Sequence, residues 1–141
     1  MINLYELHKN PKKLEKYKNY GYLITSLIDE DYNINFNYGP ILHIIKKAPE
    51  QAYWYTRLMM HGRWEEAERY ILKDIYFAFC YAENIIKGRW IELEPIIITD
   101  GRYAFHYAKD VIKERWIDSE SYITGYRNDF YWKEYCRIFN L

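Results

Sequence analysis

The sequence repeats itself every 26 residues, and this periodicity constrains the fold more than any other feature. Trp64, Trp90 and Trp116 are each 26 positions apart. Other identical columns keep the same step: Ala52, Ala78 and Ala104; Tyr55, Tyr81 and Tyr107; Arg63, Arg89 and Arg115; Glu68, Glu94 and Glu120; Ile71, Ile97 and Ile123. Tandem units of this length cannot bury an apolar face alone, so they stack on one another.

Each repeat predicts two helices joined by a tight turn. In repeat 2 (75–100), small and apolar residues recur at three- and four-residue steps along a first helix, helix A: Ala78, Tyr81, Ala82, Ile85 and Ile86. Trp90, Leu93, Glu94 and Ile97 mark one face of a shorter helix B. The local signals predict N-caps at Asp74 and Asp100, first-turn prolines at Pro49 and Pro95, and a left-handed C-terminal cap at Gly62 or Gly88.

The sequence therefore predicts an all-α, single-domain protein, a short α-solenoid of about three two-helix repeats. Residues 1–48 are predicted to form an N-terminal helical cap that includes a degenerate repeat. Residues 49–126 hold the three explicit repeats, 49–74, 75–100 and 101–126. Residues 127–141 are predicted to form a C-terminal capping helix.

The charge balance excludes some classes of partner. Lys plus Arg equals Asp plus Glu at 20 each, which argues against a dedicated binder of nucleic acid or anionic membrane. The two cysteines predict neither a disulfide framework nor a metal site, and no cofactor is expected. The N-terminal residues predict no signal peptide, and no apolar stretch approaches the roughly 20 residues of a membrane-spanning helix. A cytoplasmic protein is the resulting expectation.

The repeat resembles one found in uncharacterised proteins of large tailed bacteriophages and giant DNA viruses, of the type YAxxVIKGRWxEAEPYI. Repeat 2 carries this pattern as Tyr81-Ala82, Ile85 to Trp90, Glu94-Pro95 and Ile97. Repeats 1 and 3 match it in part, so the resemblance covers roughly residues 48–126. It implies a viral origin and a helical solenoid. It carries over no catalytic activity to this chain.

Columns that stay constant between the repeats are predicted to serve the stacking interface. This structural signature consists of Arg63, Trp64, Glu68, Arg89, Trp90, Glu94, Arg115, Trp116 and Glu120. We expect each Trp to wedge between helices A and B, and each Arg to pair with a Glu, within or between repeats. The alternative is a ladder of arginines that lines a groove for phosphate or carboxylate groups.

Columns that vary are free for function, and they define an outer stripe on helix A. The candidate partner-binding residues of this stripe are Trp54, Arg57, His61, Glu83, Asn84, Lys87, His106, Lys109, Asp110 and Lys113. An ordinary solvated face is the alternative for any one of them. Trp54 and Leu58 are poorly suited to solvent, so either residues 20–28 pack over them or they form an exposed partner site.

The functional hypothesis is a non-enzymatic viral module that binds a host or viral protein, with inhibition of a host defence or host enzyme as one form. His106 and Asp110 are an i, i+4 pair that helices often make without catalytic purpose, and no catalytic motif occurs. One alternative is a nucleic-acid binder that uses Arg102, Lys87, Lys109 and Lys113. Another is a structural protein that self-assembles through its repeat ends. An enzyme is the last alternative.

Overall fold

The computed structural model describes residues 42–60, 62–125 and 129–141, and all regular structure in these ranges is helical. The chain divides into two compact bodies between Lys73 and Asp74. The all-α prediction is confirmed for the described residues. The predicted packing of residues 20–28 over Trp54, and the rest of the proposed cap up to residue 41, lie outside them.

In its described residues, 42–60 and 62–73, the N-terminal body contains three helices: α1 Leu42–Ile45, α2 Pro49–Met59 and α3 Glu65–Ile71. Pro49 occupies the first turn of α2, as predicted, where its missing N–H costs little. The core is formed by Ile45, Ala52 and Ile71, all fully buried. Alanine at position 52 leaves room for close helix approach, so the shared alanine column corresponds to a packing position.

The C-terminal body holds the remaining helices: α4 Ile75–Tyr81, α5 Glu94–Ile97, α6 Gly101–His106, α7 Glu120–Thr124 and α8 Asp129–Phe139. A π-helical turn extends α4 over Ala82–Ile86 and another extends α6 over Tyr107–Ile112. A single 3₁₀ turn, Ile117–Ser119, leads into α7. Helix B of repeat 2 is therefore one short α-helical turn, and most of its stability must come from packing.

The predicted N-caps are confirmed. The Asp74 carboxylate accepts hydrogen bonds from the backbone N–H groups of Tyr76 and Phe77 at 3.0 and 3.1 Å. Asp100 accepts in the same way from Arg102 and Tyr103 at 3.0 and 3.2 Å. Pro95 lies in the first turn of α5. These residues set where helix A of repeats 2 and 3 and helix B of repeat 2 begin.

The end of helix A differs from the prediction. Lys87 and Lys113 take the left-handed conformation, with φ of 58° and 60°, and no described glycine has a positive φ. Each lysine N–H donates to the carbonyl five residues earlier, at Ala82 and Ala108, over 2.7 Å. This wide turn ends the helix one residue before the position of Gly88. The prediction of a left-handed Gly88 is therefore wrong.

In the last helix, α8, two aromatic rings of the same helix flank the buried central tyrosine. Tyr135 is fully buried. Trp132 stacks on its ring with centroids 5.7 Å apart and planes at 14°, and the Phe139 ring lies 4.6 Å away. In repeats 2 and 3 the equivalent tyrosines, Tyr81 and Tyr107, pack on Trp90 and Trp116 of the turns that follow them. In α8 the aromatic partners of the tyrosine come from the same helix instead.

Candidate interaction surfaces

The three signature arginines are all bound by glutamates of their own repeat. Arg89 donates to both carboxylate oxygens of Glu94, from Nε at 2.7 Å and from a terminal nitrogen at 2.8 Å. The equivalent two-point contacts join Arg63 to Glu68 at 2.8 and 2.7 Å, and Arg115 to Glu120 at 2.5 and 3.0 Å. Each glutamate occupies one edge of its guanidinium group, formed by Nε and one terminal nitrogen, and supplies its counter-charge, which favours the structural interpretation over a ladder that binds anions.

The pairing has an electrostatic signature. The hydrogen bond from Arg115 holds the pKa of the Glu120 carboxyl below its usual value. The hydrogen bond to Glu94 raises the pKa of Arg89, and the nearby charge of Glu114 adds to this effect. Glu114 belongs to the next turn along the chain, so the turns of repeats 2 and 3 are electrostatic neighbours.

In the C-terminal body, a tyrosine hydroxyl connects the signature tryptophan of each turn to a later helix: to the extension of α6 for Trp90 and to α8 for Trp116. The backbone N–H of Trp90 donates to the Tyr107 hydroxyl at 2.7 Å, and that of Trp116 donates to the Tyr135 hydroxyl at 2.7 Å. Burial raises the pKa of Tyr107 to about 12. The Trp90 ring packs on Tyr81 at 5.2 Å, while its indole N–H has no acceptor among the described residues. Trp90 therefore acts through packing.

In the N-terminal body the outer stripe forms a small aromatic cluster. The guanidinium of Arg57 lies 5.6 Å from the centre of the Trp54 ring and donates to the Tyr53 hydroxyl at 2.5 Å. Trp54 is half-buried and Arg57 is exposed. His61, the third predicted residue of this part of the stripe, lies outside the described residues.

In repeat 2 the stripe is exposed or half-exposed and makes local contacts. The Asn84 amide donates to the Cys80 carbonyl at 2.9 Å and to the Glu83 carboxylate at 3.3 Å. Glu83 and Lys87 are exposed. These residues have the solvated character that both the partner-binding interpretation and the simple surface interpretation require.

In repeat 3 the stripe is partly enclosed by aromatic rings. His106 Nδ1 lies 3.2 Å from Asp110, whose other oxygen lies 3.4 Å from the Lys109 ammonium. The His106 ring lies 6.5 Å from Phe79 and 6.0 Å from Tyr131, which belong to the helices before and after it. His106 thus contributes to packing between successive helices, while Lys109 and Lys113 remain exposed.

Sequence reasoning missed a second surface, at the start of helix B. Ile91 and Ile117 occupy equivalent positions directly after the signature tryptophans and are 64% and 67% exposed. Ile96 and Tyr122, another equivalent pair, are 39% and 45% exposed. The available signal was that both columns are apolar in repeats 2 and 3 although they lie off the buried face of helix B.

Each of the two isoleucines is followed by an exposed carboxylate. Glu92 follows Ile91 and Asp118 follows Ile117. Within the described part of the chain, neither carboxylate makes a hydrogen bond or ion pair. The equivalent residue of repeat 1, Glu66, is also exposed and lies 3.1 Å from the Lys46 ammonium. We call Ile91, Glu92, Ile117 and Asp118 the helix B edge.

Other kinds of site have little support in the described ranges. No group of three or more His, Cys, Asp or Glu side chains there is arranged to hold a metal ion. No helix in these ranges has both the length and the apolar character needed to cross a bilayer. In comparisons with known proteins, no family model, curated protein or solved structure matches the chain.

Proposed function

We propose that this chain is a non-enzymatic protein-interaction module, in which the repeats stack as a short α-solenoid and present the helix B edge to a partner. The observation that carries the proposal is the exposure of Ile91 and Ile117, at 64% and 67%. Packing within a repeat does not require these side chains. Stacked repeats present extended surfaces that bind partners, and exposed apolar side chains that recur at equivalent positions of such a surface are suited to that role.

The tyrosine joints support the stacked arrangement. The contact between Trp90 and Tyr107 has the same length as the contact between Trp116 and Tyr135, 2.7 Å. Because equivalent backbone donors meet a tyrosine hydroxyl in both places, each turn of the C-terminal body is held against a later helix by the same kind of contact. Repeated nearest-neighbour contacts of this kind are what a solenoid needs.

The resemblance of the repeat to proteins of large bacteriophages and giant DNA viruses supports a viral setting. In that setting the partner is a host or viral protein, and one outcome of binding is inhibition of a host defence or host enzyme. A protein is favoured over a nucleic acid, because the signature arginines are bound by glutamates and the two carboxylates of the helix B edge make no ion pair with any described residue.

The test is affinity capture from bacterial lysate with three forms of the full chain as bait. These are the intact protein, the Ile91→Ser/Ile117→Ser double variant, and a Lys109→Ser control that changes only the outer stripe. Mass spectrometry identifies the captured proteins, and circular dichroism verifies that all three baits have the same helical content.

We expect a partner that the intact protein and the lysine control retain and the isoleucine variant loses, with its affinity then measured on purified components. A partner lost only from the lysine control would move the surface to the outer stripe. Equal capture by all three baits, or no partner retained by the intact protein, would contradict the proposed interaction surface.

A further inference from the structure

The helix B edge combines apolar exposure with unsatisfied negative charge. Ile91 and Ile117 are each followed by an exposed carboxylate without a partner among the described residues. The arginines of the same turns do not neutralise Glu92 and Asp118, because their guanidinium groups are bound to Glu94 and Glu120. A ligand that covers the isoleucines would therefore meet two free carboxylates.

The two turns and the residues directly after them carry three exposed carboxylates, Glu92, Glu114 and Asp118. Glu114 belongs to the second turn, and its charge also influences Arg89 in the first. Lys87 and Lys113 are exposed at the other end of each turn, where helix A finishes. Charge complementarity thus favours basic groups on whatever lies against the isoleucines.

The spacing of the two isoleucines follows from the tyrosine joints. Each isoleucine comes directly after a tryptophan whose backbone N–H is held by the next helix. Successive helices are in contact, since the rings of Phe79 and Tyr103 are 6.1 Å apart. Packed helices have axes about 8–10 Å apart, so the stacked arrangement places the two isoleucines about 10 Å apart.

From this spacing and charge, we infer that the helix B edge binds an amphipathic α-helix of the partner protein, with apolar residues one heptad apart and Lys or Arg beside them. Seven residues of an α-helix rise about 10.5 Å, which matches the spacing of the isoleucines. The inference rests on the proposed interaction function and adds to it the secondary structure, register and charge of the bound segment.

A helix fits this surface better than an extended strand. Strand-type ligands bind by pairing with the edge of a sheet, and all regular structure in the described ranges is helical. A helical ligand satisfies its own backbone hydrogen bonds and needs from the surface only apolar contact and charge. The helix B edge offers both of these.

The test uses fluorescently labelled helical peptides of roughly 20 residues, long enough to be helical in water. The first peptide carries two leucines seven positions apart, flanked by lysines. The second replaces the lysines with glutamates, and the third keeps the lysines but places the leucines five positions apart, on different faces. Anisotropy titrations use the intact chain, the Glu92→Gln/Asp118→Asn variant, and Glu83→Gln as a control for an exposed acid elsewhere.

We expect the first peptide to bind the intact chain about tenfold more tightly than the second, as two solvent-exposed ion pairs allow. The preference should fall to about twofold in the Glu92→Gln/Asp118→Asn variant and persist in Glu83→Gln. Equal binding of the lysine and glutamate peptides, or of the heptad and five-residue peptides, would overturn the inference, and so would no binding of the first peptide. The interaction function itself would survive each of these results if the lysate partner still depended on Ile91 and Ile117.

Discussion

The hydroxyl of Tyr107 accepts a hydrogen bond from the backbone N–H of Trp90 at 2.7 Å, across 17 positions of sequence. Trp90 is 1% exposed and Tyr107 is fully buried. The donor therefore has no access to water, and the hydroxyl is its acceptor. One phenolic oxygen thus connects the start of helix B in repeat 2 to helix A of repeat 3.

Replacing Tyr107 with phenylalanine should lower the free energy of unfolding by about 1–3 kcal/mol, because a buried N–H loses its acceptor. The ring and its packing on Trp116 are retained, so the loss reports on the hydroxyl. Tyr122→Phe is the matched control, since Tyr122 is 45% exposed and its hydroxyl makes no hydrogen bond among the described residues. Urea denaturation of both variants checks this, and equal stabilities would contradict it.

Alkaline pH should lower the stability of the folded protein through the same tyrosine. The pKa of Tyr107 is raised from 10.0 to about 12 in the folded protein, mainly by burial. Because the pKa is higher in the folded than in the unfolded protein, the contribution of Tyr107 to the free energy of unfolding is complete below pH 10. It is lost as the pH rises from 10 through about 12. Denaturation curves at pH 9, 10 and 11 should show a shallower loss in Tyr107→Phe than in the intact protein. Parallel losses would show that other tyrosines account for the effect.

Acid should lower the stability of the protein through the pair of Arg115 and Glu120. The pKa of Glu120 is held below 4.5 in the folded protein, chiefly by its hydrogen bond with Arg115. A depressed folded pKa means that the stabilisation is complete above pH 4.5 and is lost as the pH falls through the folded value. Glu120→Gln should be less stable at pH 7 and should lose less stability on acidification. An unchanged acid dependence in this variant would exclude a contribution from the pair.

The fold should not require glycine at position 88, whereas glycine at position 113 should raise the stability of the protein. A Cβ at Gly88 would meet no atom within 4 Å, and no described glycine has a positive φ. Gly88→Ala should therefore raise the free energy of unfolding by about 0.5 kcal/mol, since it restricts the unfolded chain. Lys113→Gly should raise it by about 0.5–1 kcal/mol, because Lys113 is left-handed at φ 60°. Thermal unfolding of both variants checks this, with Glu114→Gly as the control. A lower stability of Gly88→Ala or of Lys113→Gly than of the intact protein would contradict the prediction.

The features predictable from the sequence are those that depend on neighbouring residues. Asp74 and Asp100 cap helices because a short side-chain oxygen reaches the next free N–H groups, whatever the tertiary structure. Helical periodicity puts the repeated alanines, Ala52, Ala78 and Ala104, on the apolar face of their helices, and all three are fully buried.

The features that escaped prediction depend on distant contacts or on a small shift of the backbone. The joint between Trp90 and Tyr107 spans 17 positions, and no local pattern reports it. One π turn moved the left-handed residue from Gly88 to Lys87. Ile91 is 64% exposed, and side-chain polarity alone does not predict which apolar residues stay at the surface.

The two tyrosine joints have an evolutionary consequence. Tyr107 reaches back 17 positions to Trp90, whereas Tyr135 reaches back 19 to Trp116, yet both hydrogen bonds measure 2.7 Å. The joint therefore does not require a fixed number of residues between the tryptophan and the tyrosine. Within the C-terminal body, deletion of one 26-residue copy that removes residues 91–116 would leave Trp90 facing Tyr135 at the spacing of 19 that the last joint already uses, so loss of a copy there would create no new kind of junction.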